Sequence, residues 1–257
     1  MLGNGARTGI RLKLASGCKV KNRVAAESTG TGAGLGFDNN TGLVDNAWLT
    51  SSNAILWNFS RRPGFFDEVC FTGGSTTYNH NLGVVPEMMI VKSRSLAGQP
   101  WEVYTATTGN QGVLYLNTTG AVGTGNGDWG STTPTSFVFS VDGSNGVNAS
   151  STTYVAYLFA SCPGVSKVGS YTGTGTLTTI NCGFAGGARF VLIKRTDTTS
   201  NWFVWDTARG MIAGTDPSSA LNSTAAETNA DWVYTTTGGF QIVTSDATVN
   251  ASGGSYI

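Results

Sequence analysis

The stretch Val168–Gly210, VGSYTGTGTLTTINCGFAGGARFVLIKRTDTTSNWFVWDTARG, sets the pattern for the chain. A turn-rich ribbon leads to a dense apolar strand, then a polar hairpin, then an aromatic strand. About a hundred residues earlier, Val69–Gly109 (VCFTGGSTTYNHNLGVVPEMMIVKSRSLAGQPWEVYTATTG) follows the same order. Shorter words recur too. Leu116-Asn117-Thr118-Thr119 returns as Leu221-Asn222-Ser223-Thr224, Asp128-Trp129 as Asp231-Trp232, and Val147-Asn148-Ala149-Ser150 as Val249-Asn250-Ala251-Ser252. Asn53–Gly64 (NAILWNFSRRPG) aligns without a gap on Thr153–Gly164 (TYVAYLFASCPG). The chain therefore reads as an N-terminal partial repeat or attachment segment over 1–62, a first full repeat over 63–162 and a second over 163–257.

Expected strands of the first repeat are Glu68–Thr72, Glu87–Lys92, Trp101–Thr105, Gly112–Asn117, Ser136–Val141 and Thr153–Phe159. Those of the second are Arg189–Lys194, Asn201–Trp205, Phe240–Val243 and Gly254–Ile257. Each is short, rich in β-branched and aromatic residues, and bordered by Gly, Asn, Thr or Pro. Alternation over Ile10–Leu14 and Val20–Val24 adds two strand signals near the start, and Ala208–Ala213 hints at a helical turn. Many short strands without a long amphipathic stretch argue an all-β fold, with one β-sandwich of jelly-roll type per repeat. A period near one hundred residues marks a tandem of domains rather than a solenoid. The twin of Thr153–Phe159 stops at Tyr256-Ile257, so the last strand reads as incomplete. Truncation relative to relatives is the favoured explanation, and a strand from another subunit the alternative.

Lys+Arg and Asp+Glu each number 15 in 257 residues, and only 12% of the chain is charged. That balance removes the electrostatic footprint of a nucleic-acid binder and leaves little repulsion between copies. With 40% hydrophobic residues the chain can build cores, and its 36 glycines favour turns over helices. No apolar run reaches membrane-spanning length, so no membrane insertion is expected. Met1-Leu2-Gly3-Asn4-Gly5 lacks the charged start and apolar core of a signal peptide. Cys18, Cys70, Cys162 and Cys182 sit at non-equivalent places in the repeat. They read as small buried side chains with free thiols rather than a disulfide framework or zinc site.

Candidate chemistry is sparse. His80 is the single histidine, which excludes a multi-histidine metal site within one chain, and it reads as structural. Gly125–Gly130 matches GxGxxG by letter but opens no strand–helix unit, so it reads as a turn. Asp142-Gly143-Ser144-Asn145-Gly146 resembles half a calcium loop without the closing Glu. Neither a metal nor a cofactor is expected. Asp67, Glu68, Glu102, Asp128, Asp206 and Asp231 are the acids available for a two-carboxylate hydrolase, and no spacing pairs them. Trp101, Trp129, Trp202 and Trp232 recur with the repeat and read chiefly as core aromatics. Trp129 and Trp232 are the two that would stack on a glycan. Six N-x-S/T triplets suit a chain this rich in Asn, Ser and Thr, and carry no inference of glycosylation.

SYTGTGTLTTINCGF, RFVLIKRTDTTSNWFVWDTARG, LNSTAAE and NASGGSYI, with HNLGVVPEMMIVKSRS and TYVAYLFA, resemble the tandem β-repeats of tail-fibre-like structural proteins of tailed bacteriophages, marine and cyanobacterial ones especially. The resemblance spans roughly Asn53–Ile257. It implies a non-enzymatic virion protein, a tail fibre or tail appendage made in the host cytoplasm. Implied partners are other copies of the chain, commonly as a homotrimer, other tail or capsid proteins, and a host-surface glycan met through loops such as Gly123–Thr133 and Ser223–Thr237. Capsid decoration or a head fibre is the runner-up, and a tailspike polysaccharide depolymerase the alternative from a different class.

Overall fold

The computed structural model describes Trp57, residues 59–125 and residues 127–257. Of the preceding part it describes the backbone of four short strands: β1 (Arg7–Thr8), β2 (Gly36–Asn39), β3 (Gly42–Val44) and β4 (Ala54–Ile55). β1 pairs with β4 in parallel and β2 with β3 antiparallel. The strand signals at Ile10–Leu14 and Val20–Val24 lie outside the described residues.

The first repeat carries β5 (Phe66–Thr72), β6 (Thr77–Asn79), β7 (Met88–Ser93), β8 (Trp101–Thr105), β9 (Gly112–Tyr115), β10 (Gly123–Thr124), β11 (Val138–Ser140) and β12 (Thr153–Phe159). Six of them form an antiparallel sheet in the order β10-β9-β8-β7-β12-β5, and β6 pairs with β11. The second repeat carries β13 (Tyr171–Thr172), β14 (Thr178–Phe184), β15 (Phe190–Lys194), β16 (Trp202–Asp206), β17 (Asp216–Ala220), β18 (Thr228–Ala230), β19 (Val233–Thr236), β20 (Gly238–Ile242) and β21 (Ser255–Tyr256). Its main sheet is β15-β16-β17-β18, with β14-β20-β19 and β13-β21 beside it. The fold is all-β, and among the described residues there is no helix. Ala208–Ala213 forms turns and an isolated bridge.

Each repeat opens on the same corner. Phe65 N and Phe66 N donate to Arg62 O, as Val165 N and Ser166 N do to Cys162 O. Pro63 and Pro163 fix φ at the first turn position, while Gly64 and Gly164 take φ of 80° and 73° at the second. Pro followed by a positive-φ Gly is the chemistry of a type II turn.

The repeats close on a shared clasp. Asn148 Oδ1 accepts from Gly74 N and Tyr78 Oη, and Asn148 Nδ2 donates to Ser75 O. In the second repeat Asn250 Oδ1 accepts from Thr174 N, and Nδ2 donates to Thr176 O and Thr244 O. Beside each Asn a buried tyrosine ties the same loop. Tyr154 Oη accepts from Ala149 N and donates to Asn145 O, and Tyr256 Oη does so with Ala251 N and Ala247 O. A buried amide must find all its partners, which explains why the Val-Asn-Ala-Ser word recurs.

The core is arranged in layers. Met89, Val91, Tyr104, Val113, Tyr154, Ala156 and Leu158 point from the six-stranded sheet toward Phe139 and Tyr78 of the β6–β11 pair. The alternate residues Phe66, Ile90, Trp101, Val103, Leu114, Val155, Tyr157 and Phe159 point the other way, and there they meet Trp202, Leu192, Leu221 and Ile257 of the second repeat. The far side of the β15–β18 sheet supplies Val191, Ile193, Phe203 and Trp205 to a third cluster with Val233, Phe240 and Ile242. β7, β8 and β12 are thus buried on both faces, so their sequences run nearly continuously apolar instead of alternating.

Equivalent residues meet in the middle layer: Ile90 with Leu192, Trp101 with Trp202 and Leu116 with Leu221 are counterparts in the repeat, and all lie in that cluster. The same face of each copy turns toward the other, as in the self-complementary contact of a two-fold dimer. Polar bonds join the copies at one edge. Trp202 Nε1 donates to Tyr115 O at 2.9 Å, Val122 N to Thr196 O at 2.9 Å and Ser200 N to Thr119 O at 2.9 Å. Lys194 is buried, and its ammonium reaches Thr119 O at 3.1 Å and Ser200 O at 2.8 Å. Burial, opposed in part by the Asp197 charge, lowers its pKa to about 8, and burial brings its counterpart Lys92 to about 8. Trp101 and Trp202 accordingly belong to the layer between repeats, not to the inside of one sandwich.

β12 pairs with β7 from Tyr154 to Phe159. Its counterpart near the end of the second repeat, β21, pairs with β13 on one side and on the other meets Lys194–Thr196 through Ser255–Ile257.

The cysteines differ in part from expectation, and Cys18 lies outside the described residues. Cys70 is exposed and disulfide-bonded, while Cys162 and Cys182 are free thiols only partly buried. Cys70 lies on an edge strand, where its side chain faces outward instead of filling the core.

Candidate functional site

The sequence offered six acids without a pairing, and the fold brings two of them together. β8 places Glu102 on the side of the first core layer, where it is 4% exposed, and the turn before β11 places Asp128 beside it. The two carboxyl groups are within hydrogen-bonding contact. Burial first, and then the Asp128 charge, push Glu102 up to about 8. Burial raises Asp128 as well, and the nearby Asp142 carboxylate adds to the rise. Glu102 Oε2 has no hydrogen-bond partner, and Ser144 Oγ stands beside Asp128 without completing a bond of good geometry.

The remaining acids are individually committed. Asp67 accepts from Arg61 Nε at 2.6 Å and from Asn81 N at 2.7 Å. Glu68 is buried on β5 and pushed up to about 7, chiefly by desolvation. Asp206 takes part in a buried cluster: Arg209 Nε donates to Asp206 Oδ2 at 2.7 Å, and Arg209 Nη1 to Glu227 Oε2 and Ser219 Oγ, each at 2.7 Å. Trp57 Nε1 also donates to Asp206 Oδ2, and the Arg209 guanidinium lies 5.6 Å from the Trp57 ring centroid. Asp231 is exposed and accepts from Gly214 N. Sequence reasoning missed Asp216, fully buried with its carboxylate taking the Trp232 and Val233 amides. It sits in Asp-Pro-Ser-Ser-Ala, a stretch with no apolar signature.

Trp129 is a core residue, 1% exposed, edge-on to Tyr104 at 5.7 Å with Nε1 donating to Gly112 O. It has no free face for a sugar, so the stacking expectation fails there. Trp232 is half-buried against Phe203 and keeps part of its ring at the surface. The loops expected at Gly123–Thr133 and Ser223–Thr237 are partly strand, with β10 in the first and β18 and β19 in the second.

His80 is buried, with Nε2 donating to Thr135 O at 3.0 Å and Nδ1 accepting from Leu82 N at 3.2 Å. Both ring nitrogens are used to fold a loop, and burial lowers its pKa. Asn117 and Asn222 serve the backbone similarly, each accepting from the amide of the tryptophan that opens a strand, Trp101 and Trp202. With Asn148 and Asn250 in the clasps, four of the N-x-S/T asparagines are explained by folding. Among the described residues no three His, Cys, Asp or Glu side chains converge as a metal cluster, and no helix is long and apolar enough to cross a membrane.

Residues 50–257 match the model of a family described as Domain of unknown function (DUF7483). The chain belongs to the DUF7483 family. No curated protein and no solved structure matches it. The feature that sets apart the first repeat of this DUF7483 member is the Glu102–Asp128 pair. The second repeat fills the equivalent position of Glu102 with Phe203, packed on Trp232.

The pair carries a pH signature in chelator-containing buffer. The folded state holds a proton on Glu102 that the unfolded chain releases near pH 4.5. Stability therefore falls as pH rises from about 4.5 to about 8 and levels off above. Glu68 adds a fall of the same sign up to about pH 7. We expect Glu102→Gln to remove up to about 4 kcal/mol of this loss, since each pKa unit is worth about 1.4 kcal/mol. Urea unfolding of both proteins at pH 5 and pH 8.5 checks it: the variant gains on wild type at pH 8.5 and not at pH 5.

Proposed function

We propose that this DUF7483 chain is a non-enzymatic structural protein of a tailed-phage virion, a tail fibre or tail appendage that contributes to host-surface attachment. The observation that carries the non-enzymatic part is the state of the acids. A glycosidase needs two carboxyls about 5–9.5 Å apart, flanking a bond in an open cleft. Here Glu102 and Asp128 are in direct contact and buried, and Asp67 and Asp206 are tied up in ion pairs. The virion part rests on the resemblance of Asn53–Ile257 to phage tail-fibre repeats. A layered β body with little charge and a continuous core is consistent with a rigid appendage.

In this reading each repeat is one sandwich of jelly-roll type, and copies of the chain assemble, as homotrimers in the form the resemblance implies. Contact with a host glycan is through the surface around Trp232 and the neighbouring loops. The protein is made in the host cytoplasm and resides in the particle.

Gold-labelled antibody against residues 63–257, imaged on purified particles, tests the reading. Label at tail tips or side fibres is the expected result. Label over the head makes the protein a capsid decoration, and label on cells but not particles overturns the virion assignment.

A further inference from the structure

We propose that Glu102, Asp128 and the loop Asp142-Gly143-Ser144-Asn145-Gly146 form a site for a hard divalent cation of the calcium class. The loop's sequence supplies the front of an oxygen-rich cation site but not its closing acid. The fold supplies that acid from elsewhere: β8 brings Glu102 under the loop, and Asp128 completes the pair.

Three observations point to a ligand. Glu102 is 4% exposed, and among the described residues its Oε2 has no hydrogen-bond partner, while the buried Ser144 Oγ has only Asp128 beside it. A buried polar atom without a partner costs about 1–3 kcal/mol, more when charged, so the Glu102 oxygen requires an explanation. Next, a Cβ at position 146 would overlap Glu102 Oε1, so any residue but glycine would have to push the carboxylate out of its present place. The loop is thus shaped around the carboxylate. Lastly, the second repeat folds without the buried glutamate. It has Phe203 where Glu102 stands and Thr248 where Gly146 stands, with Phe203 edge-on to Trp232 at 5.7 Å, while Asp231 stands where Asp128 does. The fold does not need a carboxylate at the β8 position.

The surrounding charge is all of one sign. The charged groups acting on the pair are each other and Asp142, whose carboxylate lies at the exposed rim and whose amide donates to Asp128 O at 2.9 Å. Tyr154 Oη faces Glu102 from β12 and holds the loop through Asn145 O at 2.8 Å. Among the described residues no lysine or arginine acts on either carboxyl. Calcium takes 6–8 oxygens and accepts carboxylates, hydroxyls, carbonyls and water in flexible geometry. Two carboxylates, the Ser144 hydroxyl and waters entering past Asp142 match that preference. Magnesium, which demands a near-ideal octahedron, fits less well.

The test uses the full chain, stripped with EDTA and dialysed, titrated with CaCl2 by calorimetry in two buffers of different ionisation enthalpy at pH 7. The expected result is saturable binding with about one proton released per ion, since Glu102 must ionise, and a Tm that rises with calcium. Ser144→Ala weakens binding about tenfold or more, and Glu102→Gln abolishes both the heat and the Tm shift. Absence of heat and an unchanged Tm in wild type at millimolar calcium overturns the proposal and leaves a shared proton as the occupant. Binding that survives Glu102→Gln undiminished overturns it equally, by placing the ion elsewhere.

Discussion

Replacing Trp202 with alanine lowers the stability of the whole chain, not of its second repeat alone, by about 3–5 kcal/mol. Trp202 is 1% exposed, and its ring sits in the layer between the six-stranded sheet and the β15–β18 sheet. Its removal takes an indole from the shared core and leaves Tyr115 O without the Nε1 donor at 2.9 Å. Residues from both copies line the hole, so both lose packing. Urea unfolding followed separately by a probe in each repeat checks this. Both probes report one transition in wild type, and in Trp202→Ala both midpoints fall. A variant in which only the second-repeat probe moves would mean that the first repeat stands without the layer.

Arg209→Met destabilises on a similar scale, about 3–5 kcal/mol, for an electrostatic reason. Arg209 and Asp206 side chains are 7% and 9% exposed, and Glu227 joins them at 2.7 Å. Methionine keeps much of the bulk but removes the one cation found in this cluster among the described residues. Asp206 keeps the Trp57 indole and the position 209 amide as donors, yet its charge and that of Glu227 then face each other in a poorly solvated place. Urea midpoints of Arg209→Met alone and combined with Glu227→Gln measure this: removing the second charge should recover part of the loss, and no recovery would make the effect one of packing.

Much of the architecture is legible in the residues, and particular elements show why. β8 and β12 fall at the expected bounds because strands buried on both faces carry an unbroken apolar run. The Pro-Gly corners at 63–64 and 163–164 are type II turns, a local property fixed by two residue types. The recurring Leu-Asn and Val-Asn-Ala-Ser words recur because their asparagines hold backbone amides and tie loops. β14, β17 and β18 are not legible. They are Thr-, Ser- and Asn-rich, and Asp216 and Ser218 on β17 are buried polar groups satisfied by tertiary partners that no local window contains. The layer between the repeats is hidden for a different reason. A residue facing another sheet of its own sandwich and one facing a neighbouring repeat look alike in a strand. The candidate site is least visible, since Glu102, Asp128 and the Asp142 loop meet only through the pairing of β7, β8 and β12, and an alternation pattern marks the Glu102 side of β8 as core.

The two copies share one continuous core and so should unfold as one cooperative body. Differential scanning calorimetry of the chain decides this by comparing the calorimetric enthalpy with the van't Hoff enthalpy. A single transition with the two enthalpies equal is the expected result. Two resolved transitions, or a calorimetric enthalpy about twice the van't Hoff value, would contradict it and make the repeats independent domains.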